Sequence, residues 1–394
     1  MHIESNFKTD TPADSLPQGG YQWWYFDAID VEKGVKAVII FYAANPFSIH
    51  YINKIKEMES KKQHSTHGAI TPLDFPAISI SIYEGKETLF YSFTEFSSQH
   101  FSFTENPYNI SIGNNRILKE IDDEELVYTI QLSEELPSGD RIEADLSFRS
   151  PNVYPEINSS RNHTGDEGHS TKSEAGSTGT HRWNLIQPTA KVQGTIDVHQ
   201  PNIEQVSIAF DGRGYHDQNT GREPMKNSFS DWYWGRFHFD DYTLVYYAMN
   251  ELAEPRNGDA GKRSHEKNYN AWLFDNQLRV IKSTDVITLS SIVPNAYGLV
   301  SNRVLRIESD RWEATIQQPS PVDNGPFYQR FVANAIIHLP EQNEILASTG
   351  FTEYIKPSRI YNRIFWPLVR MRLRRYQEPP HWVQKSPTLY RWTW

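Results

Sequence analysis

The chain contains no cysteine in 394 residues. Disulfides, thiolate nucleophiles and cysteine-ligated zinc or iron–sulfur sites are therefore excluded, and redox habit says nothing about compartment. It also lacks any uninterrupted apolar run near the ~20 residues that a membrane-spanning helix needs. The first twenty residues, MHIESNFKTDTPADSLPQGG, contain no apolar segment of the kind a secretory signal carries. A cytoplasmic protein is the default expectation. Positive charge is in deficit too, with 39 Lys and Arg against 49 Asp and Glu and a formal charge of −10. That balance argues against a general nucleic-acid binder.

Aromatic residues are abundant instead: 11 Trp, 21 Tyr and 20 Phe, in a chain whose apolar fraction is only 38%. Flat and β-branched side chains suit pleated surfaces, so strands are favoured. Residues 21–29 and 36–43 read as a hairpin around an acidic turn at Glu32 to Gly34. Ile78, Ile80 and Ile82 alternate with serines, and similar alternation recurs up to Val198. A second run of strand signals extends from Phe237 to Ile355. Two successive runs without helical spacers predict an all-β chain of two consecutive antiparallel barrels or sandwiches. The expected division is 1–222, 223–362 and a basic aromatic segment 363–394. A single large all-β domain is the rarer option at this length.

Two stretches stand apart from this pattern. Residues 156–180 are Ser, Gly, Thr, His and Asn with almost nothing to bury, and predict a mobile surface loop. Its histidines and the His64-x-x-His67 pair lack a recognisable metal-ligand spacing, so no metal is expected. Residues 363–375 carry five arginines and no acid, interleaved with Phe365, Trp366, Leu368, Val369, Met371 and Leu373. A short helix beginning near Pro367 would either touch an anionic membrane surface or strap across the barrels with its arginines paired to acids.

The densest cluster of chemistry is residues 212–236, GRGYHDQNTGREPMKNSFSDWYWGR. Gly212 and Gly214 predict a sharp turn that sets the Asp217 carboxyl among Tyr215 and His216. After a break at Gly221 to Pro224, a strand would place Trp232 and Trp234 on one face, with Asp231 and Tyr233 on the other. Asp217 is open to two readings at this stage. It is a turn or cap residue hydrogen-bonded to backbone amides, or a desolvated carboxyl that keeps its proton. The tryptophans likewise divide between core packing and a binding wall. Arg236, if buried, has Asp27 or Asp231 as a partner.

Four motifs in order, Gln22-Trp23-Trp24-Tyr25-Phe26-Asp27, His181-Arg182-Trp183, Gly214-Tyr215-His216-Asp217-Gln218-Asn219 and Asp231-Trp232-Tyr233-Trp234-Gly235-Arg236, resemble the carotenoid 1,2-hydratase (hydroxyneurosporene synthase) family. The fungal Diels–Alderase-type cyclases are more distantly similar. The resemblance implies two lipocalin-like β domains with an apolar pocket near their junction. It also carries over an H-x-W motif onto His181 and Trp183, and a Y-x-D motif onto Tyr215 and Asp217. Asp217 is then the acid, Tyr215 orients it, and His181 positions or deprotonates water. Trp183, Trp232 and Trp234 would face the cation, and Trp24, Trp232, Trp234 and Tyr233 would form the substrate wall. No cofactor or metal is implied. Thr220 stands where many relatives have Trp, and the polar stretch and arginine-rich tail also depart from the pattern, which leaves the substrate open.

Three activities compete on these residues. A hydratase would add water across a C=C bond of a long apolar isoprenoid, a cyclase would fold a polyene in the same pocket, and a lipocalin-like carrier would bind lipid or pigment without chemistry. The expected partner in each case is an apolar small molecule.

Overall fold

The computed structural model describes residues 1–61, 70–155, 157, 181–201, 205–253 and 264–392. The His64 and His67 pair and the polar stretch 156–180, apart from Ile157, lie outside the described residues. Among those described, the chain is all-β and lipocalin-like, built as two curled, almost wholly antiparallel sheets with a basic C-terminal segment.

The first sheet has thirteen strands, all but one within residues 2–221. At its centre Tyr21–Asp30 lies between Val35–Ala44 and Val206–Gly221, and the last of these pairs with His181–His199. The hairpin turn is set by Asp30, whose Oδ1 accepts from the Lys33 amide at 2.9 Å, and by Gly34, whose φ of +68° few other residues adopt. Tyr21–Asp30 and Val35–Ala44 are buried along nearly their whole length. Strands covered on both faces lose the alternation that marks half-exposed ones. Glu125–Glu135 and Arg141–Pro151, by contrast, alternate between buried and partly or fully exposed residues because one face meets solvent.

The second sheet runs from Phe229 to Ile355 in ten strands, with Phe229–His238 and Glu344–Ile355 adjacent at its middle. Its own core gathers Leu244, Leu273, Trp312, Phe331 and Ile337. The other face of its central strands packs onto the first sheet in one continuous cluster that includes Trp232, Trp234, Tyr247, Trp272 and Phe351. A helix over Ile49–Lys61, absent from the strand-based reading although Ile49, Ile52, Ile55 and Met58 recur at helical spacing, follows the first hairpin.

One local expectation fails. No turn occurs at Gly212 or Gly214, because Val206–Gly221 is a single continuous strand. These glycines are there for proximity: a Cβ on Gly212 would stand 2.2 Å from the Ile29 carbonyl oxygen, and one on Gly214 would stand 2.6 Å from that of Asp27. The break at Gly221 to Pro224 is real and leads through the short helix Met225–Ser228 into Phe229–His238.

The C-terminal segment forms the helix Trp366–Arg372, with Pro367 in its first turn. Arg372 pairs with Asp323 at 3.2 Å and lies over the Tyr91 ring at 3.4 Å. Arg374 reaches Glu134 at 3.1 Å and Arg375 reaches Glu95 at 2.9 Å. Arg374 and Arg375 also extend the first sheet by pairing with Thr94 and Glu95. Three of the five arginines are thus paired with acids of the fold, as a strap across it requires. No described helix is long and apolar enough to cross a membrane.

Candidate active site

Strand alternation builds the site before any side-chain detail is needed. Tyr215, Asp217 and Asn219 share one face of Val206–Gly221. In the antiparallel register Asp27, Tyr25 and Trp23 stand opposite them on Tyr21–Asp30, while Trp183 stands opposite Asn219 on the other side. His181 and Trp183, two apart, show the same face. The second sheet meets this face with Trp232, Trp234 and Arg236, whose partners on Glu344–Ile355 are Ile355, Glu353 and Phe351. The result is a small cavity of about 50 Å³ between the sheets, lined by His181, Trp183, Asp217, Trp232, Trp234 and Glu353 among others.

Asp217 is 3% exposed, and its hydrogen bonds all come from side chains. Oδ2 accepts from the Trp183 indole Nε1–H at 2.7 Å and from the Tyr215 hydroxyl at 2.7 Å. Oδ1 accepts from Asn219 Nδ2 at 2.9 Å. The capping alternative therefore fails: no main-chain amide holds this carboxyl, and it sits in mid-strand. Burial pushes its pKa up to about 7 against the pull of the Tyr215 and Trp183 hydrogen bonds, and the negative charges of Glu353 and Asp27 push the same way. The group holds a large share of its protons at neutral pH.

His181 is also buried, and its Nδ1 lies 2.8 Å from the Tyr21 hydroxyl. Burial pulls its imidazole down to about 3, so the ring is neutral. Its Nε2 has no protein partner. The ring itself lines the cavity. Rings complete the walls. Tyr25 and Tyr215 each lie 5.0 Å, centroid to centroid, from Trp234. Trp183 packs edge-on to Tyr247 at 5.4 Å, and Phe229 meets His181 at 5.1 Å.

Beside the cavity stands a buried ion pair that ties the sheets together. Arg236 Nε donates to Asp27 Oδ1 at 2.6 Å, and its Nη2 reaches the same oxygen. The Arg236 guanidinium also lies 5.7 Å from the Phe351 ring centre. Asp27, not Asp231, is the partner; Asp231 instead takes bonds from Ser230 and Asn250.

Six of the eight expected site residues, Asp217, Tyr215, His181, Trp183, Trp232 and Trp234, come together here. Two do not. Trp24 points to the opposite face of its strand and donates from Nε1 to the Asp10 carbonyl at 2.8 Å, inside the first sheet. Tyr233 likewise faces the core of the second sheet, stacked on Tyr354 and bonded to Asn302. Their places in the cavity wall are taken by neighbours: Trp23 and Tyr25 on one strand, Trp232 and Trp234 on the other. His216 also points away from Asp217, stacked 3.8 Å from Phe26. Asn219, from the Gly214 to Asn219 motif, completes the lining together with Glu353, Phe229, Met249 and Ile355, which no motif announced.

A buried, neutral-leaning acid in an aromatic cavity, set between two curled sheets, gives this lipocalin-like fold a site equipped for acid chemistry. The chain belongs to the carotenoid hydratase CrtC family, whose sequence profile matches residues 67–381. It is 27% identical over 357 residues to a Chlorobaculum tepidum protein described as hydroxyneurosporene dehydrogenase, covering 88% of this chain and 85% of that one. An acyclic carotenoid 1,2-hydratase of Thiocapsa roseopersicina is 24% identical over 59% of this chain, which spans about half (48%) of that relative's length. Among solved structures, CghA bound to Sch210972 aligns over 90% of this chain and 93% of its own, with a TM-score of 0.57 at 11% identity. A Nitrosomonas europaea protein described as an AttH aligns over 88% of this chain and 99% of its own, with a TM-score of 0.53 at 13% identity. At such identities the likeness concerns the fold.

Proposed function

We propose that this protein adds water across an isolated C=C bond near the end of a long apolar isoprenoid chain, with Asp217 as the proton donor. The observation that carries this reading is the Asp217 carboxyl itself, buried among rings, bonded only by side-chain donors and pushed by burial toward its protonated form. The alkene π electrons take the Asp217 proton, forming a C–H bond and leaving a tertiary cation and a carboxylate. Indole faces at Trp183, Trp232 and Trp234 favour the cation without attacking it, by about 1–2 kcal/mol each in a dry pocket. Water held at His181 Nε2 then closes the C–O bond. Tyr215 and Trp183 keep the carboxyl aimed, and their hydrogen bonds strengthen as it becomes charged.

Turnover in isotopically labelled water tests the proposal, with an acyclic carotenoid as substrate. Hydration puts solvent oxygen into the product. A product isomeric with its substrate and free of label would instead be the work of a cyclase, and an unchanged bound ligand that of a carrier.

The pH dependence has a definite sign. The acid is loaded below about 7, so turnover should be full on the acid side of that value and fall as pH rises through it. His181, already neutral, contributes no limb near neutrality. Stability moves in the same direction. The folded chain binds the Asp217 proton more tightly than the unfolded chain, whose value is near 3.8, so this contribution is whole below pH 3.8 and lost by about 7. A turnover profile flat between pH 6 and 8 would remove Asp217 from the donor role.

A space of about 50 Å³ admits the end of a polyene, not its length. A second cavity of about 340 Å³, lined by Tyr51, Ile52, Ile55, Met225 and Tyr361 among others, begins beside Gly20. The residue after Gly20 is Tyr21, the partner of His181, and Met225 precedes the cavity-lining Phe229 by one helical turn. We assign the second cavity to the remainder of the chain. Ile55→Trp, which narrows it, is expected to raise KM about tenfold or more with little change in kcat, as measured by steady-state kinetics.

A further inference from the structure

The cavity holds a second carboxyl group for which the steps above have no use. Glu353 stands opposite Trp234 in the register of the second sheet and lines the same space as Asp217. Its Oε1 accepts from Arg330 Nε at 2.9 Å, from the Tyr328 hydroxyl at 2.5 Å and from the Tyr25 hydroxyl at 3.2 Å. All three donors converge on Oε1, which leaves Oε2 to the cavity. Arg330 is itself buried, 2% exposed, and braced from the first sheet by Ser81 and Tyr83.

The two carboxyls are therefore held in opposite ways. Asp217 meets only neutral donors, whereas Glu353 is locked to a guanidinium. Paired carboxyls in contrasting environments divide into a proton donor and a standing anion. We propose that Glu353, paired with Arg330, faces the cation as a carboxylate: it offsets the cation while that cation exists, and it then takes, for part of each turnover, the proton that the attacking water sheds.

The electron count closes. The alkene π pair takes the Asp217 proton, a water lone pair forms the C–O bond, and the bonding pair of the departing proton stays on oxygen as the alcohol forms. That proton goes to Glu353 and is returned to Asp217 before the next turnover. His181 is the rival acceptor. Its imidazole, pulled down to about 3 by burial, has little affinity for a proton and suits holding the water instead.

This inference rests on Asp217 as donor, so its test uses both residues. Glu353→Gln keeps the side-chain shape and leaves an acceptor for Tyr25, Tyr328 and Arg330. It is expected to lower kcat by about 10²–10³-fold with KM within about threefold, a loss of the size seen when one charge-stabilising group is removed. The alkaline limb of the pH profile should also move to lower pH, because the negative charge of Glu353 is one of the forces holding the Asp217 proton in place. A charge that acted only on the Asp217 proton would move that limb and leave kcat on its acid side unchanged. Tyr328→Phe, which removes a donor and keeps the charge, should retain kcat within about tenfold.

Wild-type kcat in Glu353→Gln, or an unmoved limb, overturns the inference while leaving Asp217 untouched, provided Asp217→Asn is inactive. Activity in Asp217→Asn instead overturns the reading beneath it. Should Glu353→Gln fail to fold, the double variant Glu353→Gln with Arg330→Met leaves no orphaned cation and carries the same expected loss.

Discussion

Replacing Asp217 with Asn lowers turnover by about 10²–10⁴-fold, the usual worth of a positioned general acid, while the protein folds as before. The geometry makes the substitution unusually clean. The introduced carboxamide would keep one oxygen for Tyr215 and Trp183, and its NH₂ would meet Asn219, whose amide turns over to present its own oxygen. Every hydrogen bond then survives and only the transferable proton is gone. Single-turnover hydration measures the loss, and a urea midpoint no lower than that of wild type confirms the fold. Binding of the unreacted polyene, followed by quenching of the surrounding indoles, should stay within about threefold of wild type. More than a tenth of wild-type turnover in this variant would end the case for Asp217 as donor.

The second large effect concerns stability. Arg236→Met should cost about 3–5 kcal/mol, read from urea unfolding, because Asp27 is then left buried without its counter-charge. Burial already pushes the Asp27 carboxyl up, and the guanidinium is what opposes it. The loss should therefore shrink at acid pH, where Asp27 takes up a proton. Converting both partners, Asp27→Leu with Arg236→Met, should recover much of the stability, since no lone charge remains inside. A loss below about 1 kcal/mol for Arg236→Met would show that the pair adds little to the join between the sheets.

How much of this could be read from the chain depended on which faces were covered. Period-two spacing grouped Trp232 with Trp234, while the Y-x-D and H-x-W motifs of the resemblance grouped Tyr215 with Asp217 and His181 with Trp183; each pair shares a face in the structure. Spacing could not choose between Trp23 and Trp24, because both faces of Tyr21–Asp30 are buried, one inside the first sheet and the other against the second. Adjacent indoles on such a strand look alike until the sheets are stacked. Tyr233 is different: the same spacing put it on the face opposite Trp232 and Trp234, where the structure has it, and only its inclusion in the substrate wall fails. The error at Gly212 has another origin: glycine marks a turn or a close approach with the same letter, and here the neighbouring strand comes too near for a Cβ. Glu353 was invisible because it sits in an ordinary strand more than a hundred residues from Asp217. Only the register of Trp234 against Glu344–Ile355 brings the two carboxyls together.

The pairing of Arg374 and Arg375 with Thr94 and Glu95 joins residues 280 positions apart. A growing polypeptide emerges from its N-terminus, so the rim strand Glu87–Glu95 is made early and stays uncapped until almost everything else has been synthesised. Through that interval its open backbone groups and the lone carboxylate of Glu95 form a sticky border. Versions clipped before residue 374 would keep that border for good, and clumping during production, rather than poor chemistry, is the defect they should display.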